Sequence, residues 1–166
     1  MKTVPNLGRR SVGIIPVPLA AGKSIKSVVV GNKVKKITSA TYKKDKYYKR
    51  ITRAVHELLK DDIFVTPVDL FIKIGVLTKE AYEDWRFGRV SYLERVISCN
   101  LSKANRILRI LKLHAGDRCL KPSKTVYKKW GKGRKILLRF SKSGNPALEE
   151  AYSTHYVAVP NPNSDS

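Results

Sequence analysis

LSKANRILRILKLHAG, residues 101–116, carries apolar side chains at helical spacing and no acid on its polar side. At the angular step of a helix, Ala104, Ile107, Leu108, Leu111 and Ala115 fall within one arc of about 100°, wide enough to dock on a core. Asn105, Arg106, Arg109 and Lys112 lie opposite, with Leu113 among them, and Lys103 adds charge at the start. Asn100 or Ser102 is placed to cap this helix, and Gly116 to stop it. Such a helix either shows a solvated face of a basic protein or lays that face in a nucleic-acid groove. The side chains suit the second role: Arg grips guanine edges or phosphate with two donors, and Asn grips adenine.

The rest of the chain bears on that choice through charge. It has 166 residues and a formal net charge of +21, from 34 Lys and Arg against 13 Asp and Glu. Such an imbalance repels itself and attracts a polyanion, be it DNA, RNA or an anionic membrane surface. The charge is also segregated: residues 1–53 carry a net +13, 54–100 a net −2, 101–144 a net +13, and 145–166 a net −3. Two basic blocks flank a nearly neutral one, and the second contains the helix quoted above.

After that helix the pattern switches. KTVYKKW (124–130) and RKILLRF (134–140) alternate like strands and are joined by Gly131-Lys132-Gly133, a hairpin signal. This hairpin holds Lys124, Lys128, Lys129, Lys132, Arg134, Lys135 and Arg139, with Lys142 just beyond. Alternation is expected to put Val126, Ile136 and Leu138 on one side and most of the charge on the other. The glycines at the tip allow close approach of backbone to phosphate.

Upstream, TRAVHELLKDD places Ile51, Val55, Leu58 and Leu59 on one helical face, with His56 beside it as a solvated or packed side chain. Phe64–Asp69 reads as a helix start in which Thr66 caps and Pro67 takes the first turn, with Gly75 as the stop. Thr78 caps KEAYEDWR, and Ser91-Tyr92-Leu93-Glu94 has the capping-box pattern for a helix over YLERVI. Ser143–Pro146 ends the hairpin and ALEEAYSTHY (147–156) extends as a last helix. Trp85, Phe87 and Tyr92 fit base stacking, but at helical spacing they belong in the core.

The first block reads as an arm, with Pro5, Pro16 and Pro18 and glycines at 8, 13, 22 and 31. VVVGNKVKKI (28–37) suits either a hairpin around Gly31-Asn32 or a flexible segment that orders on its target. Tyr42, Tyr47 and Tyr48 interleave with Lys43, Lys44, Lys46, Lys49 and Arg50, which suits stacking beside phosphate contacts, or equally a helix start packed on the core. The expected organisation is a basic, largely irregular arm over 1–45, a nucleic-acid-binding domain over 46–156 and a disordered tail over 157–166.

Helix, helix, basic helix, basic hairpin is the order of a winged helix-turn-helix domain, and the short helix before residue 101 supplies the helix-turn-helix. Over about residues 85–152, LSKANRILRILKLHAGD and ILLRFSKSGNPALEEAY resemble the MarR type. There a Ser-Lys-x-x-x-x-Arg-x-Leu-x-x-Leu helix precedes the wing, and the second wing strand runs into a closing helix, here through Arg139–Gly144. The chain departs from that type in its all-basic wing tip, in WRFGRVSYLERVI, and in lacking length for dimerisation helices at both ends. The resemblance implies groove binding by the helix and backbone contact by the wing, not a ligand-responsive repressor.

Other chemistries fit less well. No apolar run reaches the roughly 18 residues of a membrane span, and Pro16 and Pro18 interrupt the apolar stretch Val12–Ala21 that a secretory signal would need. A mitochondrial presequence fits the acid-free residues 1–44 but not their prolines and valines. Cys99 and Cys119 make no disulfide framework, and with His114 they match no common zinc spacing, so the cytoplasm, the nucleoid or the ribosome is the expected location. Ala21-Gly22-Lys23-Ser24 ends like a phosphate loop, but Val17 stands where its first glycine belongs. Asp61, Asp62, Asp69, Glu80, Glu83 and Asp84 offer nuclease carboxylates but sit at helix starts and turns, where acids are expected anyway.

The fold expected is therefore mainly α with a two-stranded β-hairpin, winged-helix-like, with a basic arm. The function expected is non-enzymatic nucleic-acid binding without cofactor or metal. The target is DNA, gripped by residues 103–115 and a wing over 124–140. The alternatives are an RNA-binding component of a larger nucleoprotein assembly such as the ribosome, and a nucleic-acid enzyme.

Overall fold

The computed structural model describes residues 36–160, and from Ile37 onward these form one compact unit. The glycine-centred hairpin at 31–32, most of the arm and the last residues of the tail lie outside the described residues. The unit has five helices and a small, open, three-stranded antiparallel sheet, so it is mixed α and β rather than mainly α. In chain order the elements are α1 (Tyr48–Asp61), β1 (Phe64–Val65), α2 (Pro67–Lys73), α3 (Lys79–Arg86), α4 (Leu101–Asp117), β2 (Lys121–Lys124), α5 (Pro146–Ser153) and β3 (Thr154–Val157). Short 3-10 turns stand at Tyr42–Lys44 and Leu93–Arg95. No helix among the described residues is long and apolar enough to cross a membrane.

Helix starts follow their caps. Thr66 accepts from the Asp69 amide, Thr78 from the Ala81 amide, and Asn100 from the Lys103 amide. Asn145 does the same for α5, accepting from the amides of Ala147 and Leu148. Each bond satisfies a donor the first helical turn leaves open. Helix α4 buries Ala104, Ile107, Leu108, Leu111 and Ala115 as its periodicity demands, and also Ile110 and His114. It runs through Gly116, and the reversal falls instead at Cys119, the one non-glycine with positive φ (56°) among the described residues. There the Leu120 amide returns to the Ala115 carbonyl.

The strands depart from expectation for a common reason. β3 lies between β1 and β2, antiparallel to both, with Val65 opposite Tyr156 and Lys124 opposite Thr154. Once β3 is in place, Phe64–Val65 pairs with it rather than opening a helix, and the expected last helix ends at Ser153 because Thr154–Val157 serves two neighbours. KPSK becomes β2 despite Pro122, which an edge strand tolerates because one side of it needs no donor.

YLERVI forms only the 3-10 turn. The amides of Arg95 and Val96 reach back only three residues, to Tyr92 and Leu93, while those of Leu93 and Glu94 donate to the carbonyls of Arg139 and Phe140 (3.2 and 2.9 Å). The Glu94 carboxylate accepts from the Lys142 amide and the Tyr152 hydroxyl instead of closing a capping box. The helix expected before α4 is therefore absent. The wing is also reduced: Lys128 and Leu137 form an isolated antiparallel bridge, flanked by bonds from the Lys129 amide to Ile136 and from the Leu138 amide to Tyr127. Lys124 belongs to β2, not to this hairpin.

The core is continuous and aromatic toward the hairpin. Trp85, Phe71 and Tyr152 are fully buried, and Tyr152 stacks on Phe140 at 5.6 Å between centroids. Tyr42, assigned to the arm by sequence, is also buried, and residues 37–45 belong to the compact unit. Burial lowers the pKa of His114 and of His155, whose Nε2 is 2.9 Å from the Tyr127 hydroxyl. A depressed folded pKa means the unfolded chain binds protons first as pH falls. The stability these neutral rings contribute is thus fully present above the ordinary histidine value of 6.5 and is lost as pH drops below it. The thermal midpoint should be flat above about pH 7 and fall toward pH 5, as calorimetry across that range would show. A midpoint independent of pH there contradicts the burial of both rings.

Candidate nucleic-acid interface

The sequence-predicted cations fall into three groups with different neighbours. The first surrounds the N-terminal part of α4, where residues 37–47 lie against its polar face. Arg106 is not free: its Nε and a terminal nitrogen both reach Asp45 Oδ2 at 2.6 Å. The Asp45 side chain is 2% exposed and that of Arg106 29%, so this is a largely buried ion pair. Asp45 Oδ1 also accepts from the Tyr47 amide. Lys43 and the Tyr42 hydroxyl converge on Asp117 Oδ2 (2.7 and 2.6 Å), and together they hold that carboxyl below its usual range. The ammonium groups of Lys46 and Lys103 stand 5.0 and 5.4 Å from the Tyr47 ring centroid. Arg109 Nε reaches the Ile37 carbonyl at 3.4 Å. Lys44, Asn105, Arg109 and Lys112 remain exposed.

The last residues of the expected phosphate-binding arm therefore cover part of the face the arm was to extend. Asp45, the sole acid of the first basic block, makes this possible. Replacing Asp45 with Ala leaves Arg106 without its acceptor and should cost about 2 kcal/mol, below the figure for a fully buried pair because Arg106 is partly wet. Urea denaturation checks this, and a loss under about 0.5 kcal/mol would place the pair with ordinary surface ion pairs.

The second group is small. Lys112 and Lys124 line a cavity of about 620 Å³ between α4, β2, α5 and β3, and Lys124 is 3.3 Å from Glu150. The cavity is otherwise walled mainly by Leu120, Pro122, Ala147, Ala151 and Tyr156.

The third group is the hairpin, and it is firmly anchored. Tyr127 and Leu138 point inward, and Tyr127 is buried. Of Val126, Ile136 and Leu138, which alternation placed together on one side, only Leu138 packs on the core; Val126 and Ile136 are 67% and 52% exposed, and Leu137 is exposed as well. The Trp130 amide donates to the Arg86 carbonyl at 2.7 Å. The Arg86 guanidinium stacks on Trp130 at 4.3 Å and on Tyr127 at 5.0 Å, and it bonds the Tyr82 hydroxyl and the Lys128 carbonyl. At the other limb Glu149 accepts from the amides of Phe140 and Ser141 and from the Ser141 hydroxyl.

Within this frame the tip turns at Gly131 and Gly133 (φ 93° and 91°), and Lys135 bonds the Gly131 carbonyl. Arg139 closes on the carbonyls of Ser141 and Lys142. The Lys129 stem lies over Gly88, where a Cβ would come within 3.1 Å of it. Lys128, Lys132, Arg134 and Lys135 are exposed. Among the described residues, no hairpin cation from Lys128 to Lys142 lies in an ion pair; the ion pairs that do form hold Lys43, Lys73, Arg89, Arg106 and Lys124.

Sequence reasoning missed Arg86, Glu94 and Glu149, the side chains that orient the hairpin. Their acceptors and donors are mostly backbone groups, which carry no sequence signal. Of the carboxylates weighed for metal binding, Asp69 accepts from Thr66 and Asp84 pairs with Arg89. Among the described residues no three acids, histidines or cysteines gather around a metal-sized space. Helices α2 and α3 are themselves joined by a short turn with Gly75 at φ 71°, yet α3 carries Glu80, Glu83 and Asp84, which a phosphate backbone would repel. The chain matches no protein-family model, no curated protein and no solved structure.

Proposed function

We propose that the chain is a non-enzymatic nucleic-acid-binding protein that holds backbone phosphates with the hairpin at 127–139 and with the open side of α4. The observation that carries this is the hairpin's charge: exposed cations without acid partners among the described residues, on a loop fixed by Arg86, Glu94 and Glu149. Unpaired like charge held together costs stability unless a polyanion relieves it. The order of helices, basic helix, basic hairpin and closing helix α5 supports a winged-helix-like use of these parts on DNA, with Asn105, Arg109 and Lys112 toward the groove.

A second reading, an RNA-binding component of a nucleoprotein assembly, is favoured by the Asp45–Arg106 pair. That pair removes a central arginine from base readout and leaves mainly phosphate contacts. Binding to short duplex DNA, A-form RNA and single strands, titrated with salt, tests the proposal. With roughly six to ten phosphates neutralised, affinity should fall about 10³- to 10⁵-fold between 50 and 200 mM salt. Salt-insensitive binding, or none at low salt, overturns it.

A further inference from the structure

Trp130 and Phe87 are large aromatic side chains left 37% and 39% exposed beside the cationic tip. Their ring centroids are 5.7 Å apart with planes at 78°. We propose that they form a stacking site for an unpaired nucleobase, with Lys132, Arg134 and Lys135 taking the phosphates of the same strand. This rests on the nucleic-acid reading above and narrows its target to single-stranded or looped nucleotides.

Three observations converge on that ligand. First, the platform is preorganised: the Trp130 backbone is tied to α3, and Arg86 and the edge of Tyr82 hold its ring. Little ordering remains to be done when a ligand arrives. Second, the charge around it selects against a cation. Arg86 already stands on Trp130, and Arg89 lies 5.0 Å from the Phe87 ring centroid. A flat neutral ring with an attached anion fits, whereas an ammonium ligand meets like charge. Third, Gly88 follows Phe87 at φ 75° and Gly131 follows Trp130 at φ 93°, a backbone conformation that L side chains rarely adopt. Each ring is thus set at a turn that glycine makes possible. Aromatic faces beside cations are the elements by which single strands are held without sequence preference.

The test uses the full chain with oligouridine, oligothymidine and a duplex of the same length at one salt concentration. Trp130→Leu and Phe87→Leu should each lower the ratio of single-strand to duplex affinity, by about 5- to 150-fold for a lost stack. Trp130→Tyr should recover most of it. Binding of either single strand should also quench tryptophan fluorescence in the parent, and Trp130→Phe should abolish that quench because Trp85 is buried. The strand bound more tightly identifies RNA or DNA as the source of the base.

Equal losses for strand and duplex, or no loss, overturn the stacking site. So does a greater loss on anionic phosphatidylserine vesicles, which would assign the exposed apolar residues of the hairpin to a membrane surface. If the parent binds neither strand nor duplex at low salt, the parent reading itself fails. Steep salt dependence with an unchanged ratio removes the stacking site alone.

Discussion

Replacing Lys128, Lys132, Arg134 and Lys135 together with Gln should reduce the salt slope of duplex binding by about 3 to 4, at roughly 0.9 per phosphate contact. The fall in affinity between 50 and 200 mM salt then shrinks about a hundredfold relative to the parent. Stability should hardly change. These side chains are exposed, and of the four ammonium or guanidinium groups only that of Lys135 has a hydrogen bond among the described residues, to the Gly131 carbonyl. Surface changes of this kind cost within about 0.5 kcal/mol. Self-repulsion across the tip would even fall. Arg106→Gln makes the opposite contrast: it should weaken the fold through Asp45 more than it weakens binding. Fluorescence anisotropy across a salt series, with urea denaturation alongside, separates the two effects. An unchanged slope in the fourfold variant would move the phosphate contacts away from the hairpin.

Trp85→Ala should be the most destabilising single change. The side chain is fully buried against Tyr127 and Phe140 at 5.6 and 5.1 Å between ring centroids, and its indole donates to the Arg139 carbonyl at 2.8 Å. Truncating a buried tryptophan costs about 3–5 kcal/mol, and it leaves the Arg139 carbonyl with the Leu93 amide as its remaining donor. Against a total of about 5–15 kcal/mol for an ordinary domain, the variant stands near unfolding. Trp85→Phe keeps much of the packing but not the donor, and should cost about 1–3 kcal/mol. The denaturation midpoint reads both, and a shift below about 1 kcal/mol for the alanine variant would contradict the described core. Trp85 also ties the hairpin to the core, because the carbonyl it holds belongs to the hairpin's second limb.

These two variants mark what was legible. The basic face of α4 and the cations of the hairpin stand out in the sequence because charge segregation survives in one dimension. Which of those cations are open does not, since Arg106 is taken by an aspartate 61 residues away. Arg86 sits in the nearly neutral block, and nothing in its neighbourhood announces that it will stack on Trp130.

What the sequence determined alone is local. Thr66, Thr78 and Asn100 set helix starts through hydrogen bonds three residues along, and the apolar positions of α4 follow from the pitch of the helix. What only the tertiary structure decided is every feature whose partner lies far along the chain. A strand has no internal ladder, so Lys121–Lys124 became one because Thr154–Val157 was there to pair with it. YLERVI did not close its capping box because the Glu94 carboxylate is held by the Lys142 amide and the Tyr152 hydroxyl, both far along the chain. A helix closes its own hydrogen bonds and can be read from its own residues. A sheet, an anchored loop or a buried ion pair is written in two places at once, and only folding brings the two together.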